Sequence, residues 1–285
     1  MTMEALKALL TSLARNAVRL EIGTGEGPAI GRFGGAPDVP EGFSWPWFTT
    51  DTYMDDEVKP RPLAFLCQFD CAALAELDGD GLLPHEGVLS FFYELGSQRW
   101  GYDPKDAGCA RVYWFPEKAA LGPADFPEAL EEEFRLPSLP IRGGRERCFP
   151  GYDDAAAAVG RAEGELGLKT FNAAYSTVAG KPETDGSAHR LLGWPDIIQS
   201  SMTAECELVS RGYNLGGGQK IPEDQLREAE ETSLENWRLL FQLDSIQLGK
   251  FSLDFGDYGR VYFYIRKEDL AARRFDRVWL VLQCG

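Results

Sequence analysis

The sequence predicts a sheet-rich α+β fold with a mostly antiparallel sheet, formed as a single domain over residues 1–285. Three observations favour this class. Apolar runs rich in β-branched and aromatic residues recur between turn signals, as buried strands do. Segments with apolar residues at helical spacing lie at the start of the chain and between later strands. A pattern in residues 63–115 returns in residues 237–283, which predicts an internal duplication with two similar halves in one domain.

The first predicted element is an amphipathic helix. Apolar residues recur at steps of three and four between Met3 and Ala17, and Thr2 is available to cap the first turn. We expect this helix to pack on a sheet. A glycine- and proline-rich segment at residues 33–47 excludes long regular elements there. Because this segment carries large aromatic residues, we predict a coil packed over the core, with Trp45 largely buried.

The rest of the chain predicts strands with helices between some of them. LAFLCQFD at residues 63–70 is typical of a buried strand, and Asp70 can cap a short helix that follows it. After a turn, residues 87–94 form the next predicted strand. Further strands are predicted at residues 111–115, 204–210, 237–246, 260–265 and 277–283. Helices are predicted near residues 127–134, 154–166, 222–235 and 267–275.

The predicted duplication rests on the order and spacing of two patterns. LAFLCQFD at residues 63–70 aligns with WRLLFQLD at residues 237–244, with an offset of 174 residues. The strand that follows each copy also recurs, at residues 87–94 and 259–266, with an offset of 172 residues. Two apolar strands separated by a turn are common in proteins, so a chance similarity is the alternative.

The chain carries, in this order, the segments FGGAPDVPEGFSWP, PLAFLCQFD, LPHEGVLSFFYE, HRLLGWPDIIQ and WRLLFQLDS with FGDYGRVYFYIRKEDL. In these motifs it resembles the YwqG-like family, a bacterial group described as a domain of unknown function. The resemblance implies a sheet-rich α+β domain of duplicated character in a cytosolic bacterial protein, and it implies no activity. Some members of that family lie near toxin and immunity genes, which favours a protein-binding or neutralising role.

The charge balance restricts the classes of partner. The chain has 29 basic and 45 acidic side chains, which give a net charge of −16 at pH 7. A chain this anionic repels nucleic-acid phosphates and anionic membrane surfaces, so neither is a predicted partner. A basic protein is favoured, and a small-molecule ligand stays open.

A cytoplasmic location is expected. Charged residues interrupt the apolar positions of the first segment, unlike the apolar region of a signal peptide. No run approaches the roughly 18 apolar residues of a membrane span. The six cysteines show no C-x-x-C spacing, so we predict free thiols in a reducing compartment.

Few residues have catalytic or metal-binding potential. The only histidines, His85 and His189, lie in predicted loops without a nucleophile motif beside them, and their roles stay open. Cys67 and Cys71 are the one close cysteine pair. Cys67 lies in a predicted strand and Cys71 begins a predicted helix, so their side chains need not converge on a metal ion and buried thiols are expected. We therefore predict no metal site and no cofactor, and a non-enzymatic role is favoured over catalysis.

Two sets of polar residues are candidate binding sites. In a duplicated fold, the repeated strands could meet and line one groove with the tryptophan-rich loop; the residues of this groove are Gln68, Asp70, Gln242, Asp244 and Trp45. The alternative is that the aspartates cap the next elements and the glutamines satisfy backbone groups. The second set is an acidic helical face that could dock a basic partner, or could simply be solvated; its residues are Glu223, Asp224, Glu228, Glu230 and Glu231.

These observations lead to two functional hypotheses. The first is a cytosolic protein-binding module without catalytic activity, whose acidic surface receives a basic protein, for example a toxin that it neutralises. The second is an enzyme or small-molecule sensor that uses a groove between the two halves. A deep pocket with convergent polar groups would favour the second hypothesis.

Overall fold

The computed structural model describes residues 1–23, 25–159, 166–180 and 188–285. Its strands, in chain order, are β1 (Arg15–Ile22), β2 (Gly31–Phe33), β3 (Asp38–Pro40), β4 (Trp47–Thr50), β5 (Lys59–Pro62), β6 (Ala64–Asp70), β7 (Val88–Tyr93), β8 (Ala110–Phe115), β9 (Leu121–Pro123), β10 (Leu139–Cys148), β11 (Arg190–Leu192), β12 (Trp237–Asp244), β13 (Ile246–Leu248), β14 (Phe251–Leu253), β15 (Arg260–Arg266) and β16 (Trp279–Gln283). Its α-helices are α1 (Met3–Ser12), α2 (Cys71–Ala75), α3 (Tyr152–Val159), α4 (Leu168–Val178), α5 (Thr203–Ser210), α6 (Glu223–Asn236) and α7 (Lys267–Ala271).

Within the described residues, ten strands form one antiparallel sheet in the order β16-β15-β12-β11-β1-β10-β2-β6-β7-β8. The order places β12 third from one edge and β6 third from the other, with β1 and β10 paired at the centre. Strand β6 has a register shift in its pairing with β7, between Phe65 and Cys67. Strand β12 has one in its pairing with β15, between Leu239 and Phe241. The fold is therefore α+β with a large antiparallel sheet in a single domain, as the sequence predicts.

The two ends of the sheet face each other across an aromatic core. The ring of Phe91 in β7 lies 4.7 Å from that of Phe241 in β12 and 5.2 Å from that of Phe263 in β15, measured between centroids. All three side chains are fully buried. Because these strands are far apart in the sheet order, the sheet must curve back on itself to bring them together. Burial of each ring contributes about 2 kcal/mol or more.

A coil covers the outer face of the half formed by β6, β7 and β8. Phe65 and Phe92 point away from the central core and pack against Phe43, Trp45 and Phe48. Phe43, Trp45 and Phe48 belong to residues 36–48, which we call the aromatic coil. The aromatic residues of the predicted coil at residues 33–47 therefore do pack down, but on the outer face of the sheet, and Trp45 is half-buried rather than largely buried.

Helices cover the outer face of the half formed by β12, β15 and β16. Trp237 and Tyr264 pack there against Met202 and Cys206. Helices α5 and α6 lie on β12, and α3 packs on α6. We call α3, α5 and α6 the helical layer. The outer faces of the two halves of the sheet are therefore covered differently, one by the aromatic coil and the other by the helical layer.

Most predicted elements are confirmed, and three predictions are wrong in instructive ways. Residues 204–210, predicted as a strand, form α5; apolar and acidic residues alternate from Ala204 to Leu208 as in a strand, but Glu207 is buried and paired with Arg211 and Arg266 instead of facing solvent. Residues 127–134, predicted as a helix, contain only one 3-10 turn, at Glu132–Phe134. The first helix ends at Ser12 rather than near Ala17, because β1 begins at Arg15. Of the helix predicted at residues 154–166, residues 160–165 lie outside the described residues.

No helix in the described part of the chain is both long enough and apolar enough to span a bilayer.

Candidate functional site

Helix α6 presents most of its side chains to solvent. Of its fourteen residues, only Ala229 and Ser233 are buried. Its first turn carries Glu223 and Asp224, whose charges complement the positive end of the helix dipole. The five sequence-predicted partner residues all lie on this helix; Glu223, Asp224, Glu228 and Glu231 are exposed and Glu230 is half-buried. The structure therefore places these carboxylates on one helix, with the exposed Arg227 among them.

One of these carboxylates is already engaged within the protein. Glu228 forms an ion pair with Arg211, with 3.1 Å between the carboxylate oxygen and the guanidinium nitrogen. Arg211 also pairs with Glu207 at 2.9 Å, and its Nη1 atom donates to Gln225. Arg211 thus links α6 to α5 and neutralises part of the charge of Glu228. The exposed carboxylates of Glu223, Asp224 and Glu231 therefore contribute most of the acidity that a partner would meet.

A cleft of about 1090 Å³ lies between the three helices of the helical layer. Its wall on α3 is mainly apolar and includes Tyr152, Ala156 and Val159. Its wall on α6 is charged and includes Arg227, Glu230 and Glu231. Its floor carries the hydroxyls of Ser201, Thr203 and Ser233. We call this the helical cleft; it joins an apolar wall, a hydroxyl floor and an acidic wall.

The floor of the helical cleft is backed by a buried carboxyl group. Ser201 Oγ donates to Asp154 Oδ1 at 2.6 Å, and Asp154 is 1% exposed. Its Oδ2 atom has no hydrogen-bond partner within the described structure. Burial raises the pKa of Asp154 to about 6, against the opposing effects of Ser201 and Arg15. Next to Ser201, Ser200 donates to Glu205, whose pKa burial raises to about 7.

Gln68 lies in a compact polar network on the outer face of β6. Its Oε1 atom accepts hydrogen bonds from Arg32 Nη2 at 2.7 Å and from the Asp38 backbone N–H at 2.9 Å. Its Nε2 atom donates to the Asp38 carbonyl and to Ser90 Oγ. Arg32 also pairs with the Asp38 carboxylate at 3.1 Å. The glutamine therefore fastens the start of the aromatic coil to the sheet.

Gln242 makes a similar network on the outer face of β12. Its Oε1 atom accepts from the Asp196 backbone N–H at 2.8 Å, and its Nε2 atom donates to the Ala188 carbonyl and to Asp196 Oδ2. Arg190 pairs with the same Asp196 carboxylate at 2.7 Å. The glutamine is fully buried, so each of these bonds replaces a contact with water.

The two glutamines do not come together. Both of Gln68's neighbours in β6, Cys67 and Phe69, belong to the central core, so Gln68 points outward; the same holds for Gln242 between Phe241 and Leu243. Asp70 caps α2 by accepting from the Ala72 N–H and pairs with Lys118. Asp244 pairs with Arg260 at 3.0 Å and accepts from the Ala188 N–H. These contacts match the alternative in which the four residues satisfy local polar groups, and none of the four lines the helical cleft, the cavity beside Trp45 or the cavity beside Arg99.

The partners of the glutamines belong to a repeated motif that the sequence analysis missed. Arg32 and Arg190 each begin the pattern Arg-x-x-Gly-x-Pro-Asp followed by Val or Ile, at residues 32–39 and 190–197. Strand pairing sets Arg32 opposite Gln68 and Arg190 opposite Gln242. The signal lay in the sequence, but this motif recurs at an offset of 158 residues rather than 174, so a search at constant offset passes over it.

Trp45 lies at a second, smaller cavity of about 570 Å³. Its Nε1 atom donates to the Leu63 carbonyl at 2.8 Å, and its ring lies edge-on to Phe92 at 5.5 Å. The other walls are formed by residues 39–43 and 119–125. Trp45 is therefore separated from the glutamine networks and belongs to the aromatic coil.

The remaining candidates are distributed elsewhere. His85 is exposed, whereas His189 is buried and accepts a hydrogen bond from the Asp244 N–H at 3.0 Å. The six cysteines, all at described positions, are buried and free. Burial raises the pKa of the Cys67 thiol well above its ordinary value, so it is a poor nucleophile. Among the described residues, no group of three His, Cys, Asp or Glu side chains is placed to hold a metal ion.

Comparison with known proteins gives a family without an assigned activity. The family model for the domain of unknown function DUF1963 matches residues 31–284, which is most of the chain. No curated protein matches the chain significantly. The match agrees with the predicted membership in a family of unknown function, while the narrower YwqG-like assignment and the bacterial origin stay predictions.

Proposed function

The chain belongs to the DUF1963 family of domains of unknown function, and we propose that it is a binding module whose helical cleft receives a cationic, amphipathic segment of a basic partner protein. We propose that it works in the cytoplasm, that it needs no cofactor, and that binding rather than catalysis is its role. A toxin with a basic surface is one partner of this kind.

The polarity of the helical cleft carries this proposal. An apolar wall on α3 opposes the wall on α6 that holds Glu230 and Glu231. An amphipathic helix presents the matching pattern, with one apolar face and one charged face, and commonly binds in a groove between helices. A volume of about 1090 Å³ has room for several side chains of such a helix. The cleft thus fits a segment of protein better than a single side chain.

The charge of the protein supports a basic partner. The net charge of −16 attracts cations at a distance, and the carboxylates of α6 concentrate this attraction at the cleft. Fields of this kind mainly increase the association rate, and salt weakens them as the screening length falls from about 10 Å at 0.1 M to about 3 Å at 1 M.

Two amphipathic helical peptides with leucines at the same positions test the proposal. The first peptide has lysines at the polar positions, and the second has glutamates there. Fluorescence anisotropy of labelled peptides should show binding of the lysine peptide alone. Glu230→Gln combined with Glu231→Gln should weaken binding about tenfold, since both residues line the cleft.

The matched control is Glu132→Gln combined with Glu133→Gln, which changes two exposed carboxylates away from α6 by the same charge. It should leave binding nearly unchanged. An equal loss in both double variants would assign binding to net charge alone, and equal binding of the two peptides would contradict the proposal.

A second candidate function rests on the cavity beside Trp45. Its volume of about 570 Å³ falls within the range of small-molecule sites, and an anchored indole ring forms part of its wall. In this function the protein is a sensor of a small apolar or aromatic molecule. Quenching of Trp45 fluorescence by such a molecule, lost in Trp45→Phe and unaffected in Glu230→Gln, would favour it over peptide binding.

A further inference from the structure

An unusual share of the exposed apolar surface lies on one hairpin. Within the described residues, eight large hydrophobic side chains are exposed, and four of them lie between residues 47 and 58. They are Trp47 at 45% exposure, Tyr53 at 70%, Met54 at 93% and Val58 at 67%. Trp47 is the first residue of β4, and the other three lie in residues 51–58, the connection between β4 and β5, which we call the hairpin tip.

The hairpin tip is held in place from below. Arg61 in β5 is only 8% exposed, and its guanidinium donates to the Thr50 carbonyl, the Asp55 carboxylate and the Glu57 carbonyl. Across the tip, Thr52 and Asp55 exchange backbone hydrogen bonds of 2.8 and 3.4 Å. A segment tied at so many points loses little conformational freedom when it binds.

A second arginine fixes the base of the hairpin tip to the neighbouring loop. Arg99 donates through Nε to Thr50 Oγ1 at 2.9 Å and pairs with the Asp51 carboxylate. The Tyr53 backbone N–H also bonds the Gly96 carbonyl at 3.5 Å. The exposed tyrosine and methionine therefore stand on a braced support.

The composition of the hairpin tip matches the centre of a protein interface. Tyr and Met are enriched at such centres, where they fill pockets on the partner. In the hairpin tip Tyr53 and Met54 are adjacent in sequence and are the most exposed of its large apolar side chains. At the start of β4, Phe48 packs inward while Trp47 stays on the solvent side.

The edge of the hairpin tip is acidic. Asp55 pairs with Arg61 and Lys59, and Lys59 also pairs with Glu57. Asp56 is exposed and has no ion pair within the described residues. A partner that covers the apolar centre therefore meets uncompensated negative charge at its rim, in a molecule whose net charge is −16.

We propose that the hairpin tip is a docking surface that inserts Tyr53 and Met54 into an apolar pocket, edged by Lys or Arg, on another protein. The proposal is independent of the helical cleft, because it rests on other residues. The acidic edge favours such a pocket over an anionic membrane surface, which would repel it.

A display library of small folded domains with randomised concave surfaces tests the proposal, selected on the immobilised Glu230→Gln, Glu231→Gln variant so that ligands of the helical cleft are not enriched. The randomised surfaces of selected domains should combine apolar residues with flanking Lys or Arg. The double variant Tyr53→Ser with Met54→Ser should weaken their binding at least tenfold, and Val58→Ser should weaken it less, because both side chains of the double variant enter the pocket.

The matched control is Tyr258→Ser, which removes an 82%-exposed tyrosine from a different loop and should change nothing. All variants should keep the wild-type unfolding midpoint; if the double variant does not, Val58→Ser decides alone. Three results would overturn the proposal: selected domains that bind all variants equally, self-association in sedimentation that only wild type shows, or binding to neutral phosphatidylcholine vesicles that the double variant loses.

Discussion

In the half of the sheet formed by β6, β7 and β8, the aromatic coil covers the outer face, whereas α5 and α6 cover the outer face of the half formed by β12, β15 and β16. Beneath these covers the two halves carry similar networks. Arg32, Asp38 and Gln68 bond in one half as Arg190, Asp196 and Gln242 do in the other. The glutamine networks, which both halves share, connect segments to the sheet. We therefore look for the function in the covers, the aromatic coil and the helical layer, in which the halves differ.

The matched networks also bear on the origin of the fold. The register shifts in β6 and β12 stand 174 residues apart, as the two glutamines do. We infer from these paired features that the domain arose by duplication. Superposition of residues 31–115 on residues 189–283 tests the duplication. We expect one rotation to align β2, β6, β7 and β8 with β11, β12, β15 and β16, respectively. Strands that do not align would mean that the similarity arose by chance.

The largest expected effect comes from breaking the core that joins the two halves. Phe91→Ala removes a fully buried ring that contacts Phe69, Phe241 and Phe263, so we expect a loss of about 4 kcal/mol in the free energy of unfolding. Urea denaturation followed by fluorescence and by circular dichroism should give one coincident transition. Two separate transitions would show that the halves are independent units.

The next effect compares the two glutamine networks directly. Gln242→Ala leaves the Asp196 N–H and the buried Ala188 carbonyl without their partner, so we expect a loss of about 3 kcal/mol. Gln68→Ala should cost about 1–2 kcal/mol, because Gln68 is 6% exposed and water can reach part of its network.

Gln247→Ala, at an exposed position of β13, is the control and should cost less than about 0.5 kcal/mol. Equal losses at Gln68 and Gln242 in denaturant titrations would remove the predicted difference between the two networks.

Particular elements show how far the sequence could be interpreted. Helix α6 begins and ends within one residue of the prediction, because its charge and spacing are local signals. In contrast, the sequence analysis predicts no strand at β1 and extends the first helix over residues 15–17, although Val18, Leu20 and Ile22 alternate with polar residues as a strand requires. The helical cleft was beyond prediction, because three helices between residues 152 and 236 must pack before it exists.

A smaller effect concerns the carboxyl group behind the floor of the helical cleft. The pKa of Asp154 is raised from 3.8 to about 6 by burial, so between about pH 4 and 6 the folded chain holds a proton that the unfolded chain has released. The contribution of Asp154 to stability should therefore fall as pH rises through this window, and Glu205, whose pKa is raised to about 7, should add a further fall up to about that pH. Asp154→Asn keeps an acceptor for Ser201 and removes the ionisation, so it should make the fall between pH 4 and 6 smaller and raise stability at pH 7 by about 2 kcal/mol.

The neighbouring exposed residue provides the control. Asp153→Asn should leave the pH dependence of the unfolding free energy as it is in wild type. A variant Asp154→Asn that retains the full decline between pH 4 and 6 would show that another group causes it.

Hydrogen–deuterium exchange with and without the lysine–leucine peptide tests most directly whether the helical layer is the binding surface. At saturating peptide, backbone amides of α3, α5 and α6 should exchange more slowly, because the peptide covers the cleft that these helices enclose. Amides of the aromatic coil should exchange at the same rate as in the free protein. Protection of the aromatic coil without protection of α6 would contradict the assignment of function to the helical half of the sheet.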